Sequence, residues 1–255
     1  GQLALGLDTG IADIDNAGGT IDINANAGAF ASATAVAVAR AQGVDQDAFG
    51  TVAIADIDNG GLLNVDATAG AFAGTSATAF ASANAMAVDQ RASGFVAIAS
   101  LANTGLATID VDASASASAA STFARANAGA LGVVQVATGV NAFANMTNAG
   151  IIDVDALANA NATVATANAA AGGLVQVAFA ATFASADLIN SNQLNVNATA
   201  NATGVLAFAN AGANFAFQQI AAGFTSAARA SADFVNTGAI NADASANAFG
   251  LLAVA

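Results

Sequence analysis

Residues 21–41 read IDINANAGAFASATAVAVARA, with alanine at every odd position from Ala25 to Ala41. Alanine has the strongest intrinsic preference for helix, yet a helix turns 100° per residue and would scatter these methyls around its whole surface. A mark on every second residue is the period of an extended strand with one buried face. Period outweighs propensity here, and the stretch predicts strand. A straight ribbon of this length would reach roughly 56 Å at about 3.3 Å per residue, so a bend inside it is expected.

The text around this stretch returns along the chain. NAGGTIDINA (16–25), NGGLLNVDA (59–67), NTGLATIDVDA (103–113), NAGIIDVDA (148–156), NSNQLNVNA (190–198) and NTGAINADA (236–244) carry the anchors Ile21, Leu63, Ile109, Ile152, Leu194 and Ile240, spaced 42, 46, 43, 42 and 46 residues. A glutamine precedes each signature: Gln2, Gln46, Gln90, Gln135, Gln176 and Gln219. Self-similarity at a fixed period marks a repeat architecture, so residues 1–255 are expected to form one array of six repeats of about 44 residues. Asn and Gly tolerate positive φ and are read as the turns. Val, Ile, Thr and Phe fill many remaining slots, which favours strands.

Strand–turn–strand units with no helix between them predict an all-β chain, a parallel β-solenoid with a thin alanine-lined core. Alternation slips phase at Ala119–Ala120, Val164–Ala165 and Gly204–Val205, where corners are expected. Two stacked coils of about 22 residues per repeat are preferred to one wide coil, because a tube lined by methyls would leave costly voids. The face opposite the alanines carries Asp22, Asn24, Phe30, Val36 and Val38, a mixture that predicts partial cover.

Composition narrows function by exclusion. The chain has no Pro, Cys, His, Trp, Tyr, Lys or Glu; all 17 acids are Asp, and four arginines leave a net charge of −13. Nucleic acid needs a basic footprint that four scattered arginines do not supply. There is no thiolate metal site or disulfide framework, no phosphate loop and no nucleophile elbow, so neither an enzyme nor a small-molecule substrate is expected. The most apolar stretch, 169–186, contains Gly, Gln, Thr and Ser and falls in register with the repeats, so it reads as strand and turn rather than a membrane span. The opening GQLALGLDTG has no basic region before an apolar core. The expectation is a secreted, extracellular or cell-surface chain whose signal has been removed.

Two features are candidate sites. The first is the [IL]-[DN]-[VI]-[DN]-A ladder, whose acids Asp66, Asp110, Asp112, Asp153 and Asp155 face one way. Two charges about 4.8 Å apart repel by about 1 kcal/mol in water. A hard cation such as calcium would offset that through oxygen ligands; a solvated acidic stripe is the simpler reading. No other cofactor is expected. Acid–base work by paired carboxylates is disfavoured, because the acids recur with the repeat and no His, Lys or Tyr assists them.

The second feature is apolar and concerns self-association. Phe30, Phe72 and Phe249 share one slot, nine residues past the anchor, and the chain opens on Gln2, Leu3 and Leu5 and ends with Leu251, Leu252 and Val254. Solitary solenoids need polar caps, and uncovered strand edges template more strands. Copies of the chain are therefore the expected partner.

QVATGVNAFAN (135–145), with Gln and Asn around short alternating strands, resembles the curlin-type repeats of secreted bacterial amyloid fibres. The Asn-x-Gly-x-Ile signature is similar to coils of secreted haemagglutinin-like β-helix adhesins. Either resemblance implies an extracellular surface protein. The leading expectation is a structural subunit of an extracellular filament or biofilm matrix, polymerising head to tail. The alternative is an adhesin-type solenoid with a calcium-binding acidic ladder. Ice binding is disfavoured, since no Thr-X-Thr array occurs.

Overall fold

The alternating text becomes strand from end to end. In the computed structural model, which describes residues 1–74 and 77–255, 84% of the chain is strand and no helix occurs among the described residues. In chain order the strands are β1 (Gln2–Leu5), β2 (Thr9–Asn16), β3 (Thr20–Ala31), β4 (Thr34–Asn59), β5 (Leu62–Ala73), β6 (Thr78–Asn103), β7 (Thr108–Ala119) and β8 (Phe123–Asn148). They continue as β9 (Ile151–Asn161), β10 (Val164–Asn190), β11 (Gln193–Thr203), β12 (Leu206–Ala213), β13 (Phe217–Gly223), β14 (Arg229–Asn236), β15 (Ala239–Phe249) and β16 (Leu252–Val254). Among the described residues no helix is long and apolar enough to cross a membrane.

Every pairing among these strands is parallel and joins residues 41 to 46 positions apart. The chain therefore travels one whole sequence period before it pairs with itself, which overturns the preference for two coils of about 22 residues. The void argument behind that preference fails because the alanine faces are buried against one another, and methyl meets methyl.

One sheet has the order β15-β11-β9-β7-β5-β3. The other runs β1-β4-β6-β8-β10-β12-β16, with β2 also on β4, and β13 and β14 also on β10. Each long strand is three straight stretches: in β4 these are 34–42, 44–50 and 52–59, because the pairing with β6 skips Gly43 and Thr51. Bends at these points break the run into walls. At the second corner the glycine is needed for close approach: a Cβ on Gly94 would lie 2.1 Å from the Gly50 carbonyl oxygen.

Two cores result. The alanine face of the shorter sheet, such as Ala67, Ala69 and Ala71, packs on the first stretch of the long strands, such as Ala79, Ala81 and Ala83. A second core lies between the other two stretches and holds Ala48, Ala53, Ala55, Ala92, Ala97 and Ala99. Each alanine removes little area from water, so stability accumulates from many thin contacts and from the backbone ladders. The anchors Leu63, Ile109, Ile152 and Leu194 are the bulky exceptions and are fully buried.

The opening alanine run bends at Ser32–Ala33, between β3 and β4. The other phase slips likewise fall where one sheet gives way to the other, at 120–122, 162–163 and 204–205. Two sequence expectations need correction. Among the described residues only Gly18, Gly105 and Phe215 have positive φ, so the signature asparagines are not there for turn conformation. The mixed face is not covered within the chain either: Phe30 is 82% exposed, Val36 58% and Val38 51%.

Candidate functional site

The signature asparagines close β2, β4, β6, β8, β10 and β14, and their amides form a column. Asn16 Nδ2 donates to Asn59 Oδ1, Asn59 to Asn103, Asn103 to Asn148, Asn148 to Asn190 and Asn190 to Asn236, each at 2.8 Å. The other N–H ties the strand end to the start of the shorter sheet, as Asn103 does to the Ile151 carbonyl at 3.1 Å and Asn148 to that of Gln193 at 3.1 Å. Asn59, Asn103, Asn148 and Asn190 are almost wholly buried. A buried amide left unpaired would cost about 1–3 kcal/mol; here each is paired by its own copy one period away.

A glutamine column runs between the two alanine cores and points the other way. Gln46 Nε2 donates to Gln2 Oε1 at 3.2 Å, and Gln90, Gln135, Gln176 and Gln219 each donate to the preceding glutamine at 2.9 Å. Each also donates across the fold to a backbone carbonyl: Gln46 to Asp56 at 3.0 Å, Gln90 to Ser100 at 2.9 Å, Gln135 to Asn145 at 3.1 Å. The Asn chain thus donates toward the C-terminal end and the Gln chain toward the N-terminal end. Such amide ladders, repeating with the strand spacing, are also what stabilises cross-β stacks.

The acidic ladder lies on the outer face of the shorter sheet. Its first slot stacks Asp22, Asn64, Asp110, Asp153, Asn195 and Asn241, and its second stacks Asn24, Asp66, Asp112, Asp155, Asn197 and Asp243. Where an amide interleaves, it pairs the acids: Asn64 Nδ2 reaches Asp22 Oδ1 at 3.0 Å and Asp66 Oδ2 at 3.1 Å. Where it does not, charge accumulates. Burial, and then the charges of Asp110, Asp155, Asp66 and Asp153, push the Asp112 carboxyl up to about 6. Burial and the charges of Asp153, Asp66 and Asp155 raise Asp110 against the Val111 N–H. Burial and Asp155 raise Asp153, opposed by Asn195 and the Val154 N–H.

The sequence-selected acids Asp66, Asp110, Asp112, Asp153 and Asp155 are therefore neighbours, beside an open groove of about 650 Å³ lined by Asp66, Asp112, Asp155, Thr68 and Ser114. Among the described residues, however, no group of three or more acids is arranged to hold a metal ion.

The apolar candidates divide between the two ends. Phe30 and Phe72 stack with ring centroids 5.1 Å apart and planes 11° apart. Phe249 stands opposite Thr203 at the far edge of the same sheet and is exposed. Gln2, Leu3 and Leu5 lie on β1 at one end, and Leu251, Leu252 and Val254 lie in or beside β16 at the other, with all five aliphatic side chains exposed.

One cluster escaped the sequence reading. Asp45, Asp47 and Asp89 share the outer face of the middle stretch, each with a buried carboxylate oxygen lacking a hydrogen-bond partner. Arg91 Nη2 bonds Asp89 Oδ2 at 2.5 Å. Burial raises the Asp89 carboxyl, and the Arg91 charge opposes the rise. The recurring pair Asp45–Asp89, one residue before each glutamine, was the available signal.

No protein-family model, curated protein sequence or solved structure matches this chain.

Proposed function

We propose that the chain is a structural subunit of an extracellular filament or surface matrix, a single parallel solenoid of six coils of about 44 residues that elongates head to tail. The observation that carries this reading is the one-way polarity of the buried Asn and Gln columns. Every period offers the next the same donors and acceptors, so the stack has a direction and no built-in stop.

The composition suits this role. No lysine and only four arginines leave few sites for basic-residue proteases, and paired strands shield their backbone. Catalysis is not part of the proposal. The partner is the chain itself.

Electron microscopy of purified protein after prolonged incubation tests the reading. Unbranched filaments are expected, with an axial rise near 29 Å per subunit from six layers of about 4.8 Å. A single monomeric species by light scattering at high concentration, with no elongation over weeks, would refute it.

A further inference from the structure

We infer that the outer face of the first stretch of the long strands is a binding trough for a neutral glycan strand, laid along the stack across β6, β8 and β10. Each of these three layers has a paired strand on either side within the chain, so the inference stands whether or not copies of the chain join.

In these stretches the alanines at every second position face the core, which turns the residues between them outward. One outward row stacks Asn84, Gly129 and Ala170, so beyond Asn84 it is nearly bare of side chains. The row on one side stacks Ser82, Asn127 and Asn168; the row on the other stacks Met86, Leu131 and Gly172. The bare row is the bottom of an open trough, about 640 Å³ toward Met86 and Leu131 and about 460 Å³ toward the asparagines, the size of a ligand site. Its rims lean inward over the glycines: a Cβ on Gly129 would lie 3.0 Å from Asn84 Oδ1, and one on Gly172 3.0 Å from Leu131 Cδ1.

The two walls differ in chemistry. Asn127 Oδ1 accepts from Asn168 Nδ2 at 2.9 Å and from Arg125 Nε at 3.2 Å. These bonds hold the amide in one orientation, with the Asn127 N–H groups and the Asn168 oxygen left unpaired among the described residues. Across the bare row stand the apolar side chains of Met86 and Leu131. A sugar carries hydroxyls on its edge and C–H groups on its face, so one glycan strand satisfies both walls at once. None of the 17 aspartates lines the trough, and its one charge is Arg40 on the β4 layer; a cation finds no acid there and a polyanion no basic row. An acyl chain would strip water from the asparagine amides and pair nothing with them. A peptide strand would find the backbone groups of the floor already spent in the ladders.

Calorimetric titration of the full chain tests this, with hexasaccharides of glucose in β-1,4, β-1,3 and α-1,4 linkage and of β-1,4-linked N-acetylglucosamine, and with laurate as an apolar probe. At least one of the sugars is expected to bind, with the same affinity at low and high salt because no ion pair forms. Ala170→Phe fills the trough from an exposed position and should weaken that sugar at least about tenfold. Asn127→Leu removes the amide at similar volume and should weaken it comparably; it carries the test should Ala170→Phe not fold, which circular dichroism checks. Ser116→Phe, on the outer face of the shorter sheet, is expected to bind as wild type does. Heat from none of the four sugars overturns the inference, as does wild-type affinity in a folded Ala170→Phe or Asn127→Leu variant. Loss of binding in Ser116→Phe moves the site to the other sheet and overturns it too. Laurate binding that Ala170→Phe abolishes, with no sugar bound, makes the trough an acyl groove instead.

Discussion

Asn103→Asp isolates the buried amide column, because it changes one donor group and almost no volume. Asn103 is 0% exposed, accepts from Asn59 at 2.8 Å, and donates to Asn148 at 2.8 Å and to the Ile151 carbonyl at 3.1 Å. An ionised carboxylate there would aim an oxygen at two acceptors, so the folded chain must keep the new acid protonated. Protonated, it still accepts from Asn59 and gives one O–H to Asn148, losing only the Ile151 bond. Holding the proton at pH 7 against an ordinary pKa near 3.9 costs about 4 kcal/mol, and the lost bond adds about 1 kcal/mol.

The expected destabilisation is therefore about 5 kcal/mol at pH 7, falling to about 1 kcal/mol at pH 4 where protonation is nearly free. The sign follows from the folded-state pKa being raised: the penalty grows as pH climbs above the unfolded value. Urea melts followed by far-ultraviolet circular dichroism, each compared with wild type at the same pH, measure it. For a chain of this size the pH 7 loss corresponds to roughly 10–20 °C in Tm. Asn84→Asp is the control, since Asn84 is exposed and bonds only Ser82 Oγ, at 3.3 Å; it should stay within about 0.5 kcal/mol of wild type. Equal small effects from the two variants, or an Asn103→Asp loss that ignores pH, would refute the column as a buried donor–acceptor chain.

Gly94→Ala should destabilise by about 1–3 kcal/mol or more, because its Cβ meets the Gly50 carbonyl, whereas Gly28→Ala, with nothing within 4 Å of the new Cβ, should be neutral or slightly stabilising; paired thermal melts compare them. Wild-type stability should decline as pH rises through about 6, since the Asp112 carboxyl is raised to that value in the folded chain and its protonated form favours folding. Asp112→Asn should flatten this part of the pH–stability curve and raise neutral-pH stability. Calcium and magnesium at equal ionic strength should shift Tm equally if the ladder is a solvated acidic stripe, since no metal-holding group of three acids occurs among the described residues; a calcium-specific rise would favour a built cation site.

Much of the fold was legible in the text. Alternation from Ala25 to Ala41 named strand against alanine's helix preference, because burial of one face follows a period of two whatever the intrinsic propensity. The anchors marked the period, and the phase slips marked the change of sheet. The misreadings came from interactions between distant residues. Asn59 and Asn103 looked like turn formers beside glycine; they are buried because each amide finds its copy one period away, a partner that local rules do not see. Gln46 and Gln90 were visible as landmarks, yet nothing local said that their amides bridge two walls. The acids Asp110, Asp112, Asp153 and Asp155 were correctly placed on one face, but only the pairing distance decides whether they are neighbours.

The sequence by itself determined the strand period, the length of the repeat and the residue type in each slot, since these depend on side-chain alternation and on comparison of the copies. The tertiary structure decided that one period closes before the chain pairs with itself. The alanine faces pack on one another, and parallel pairing one period apart stacks equal amides and equal carboxylates one strand spacing apart. From that single geometric fact come the paired columns, the raised Asp112 and the direction of the stack.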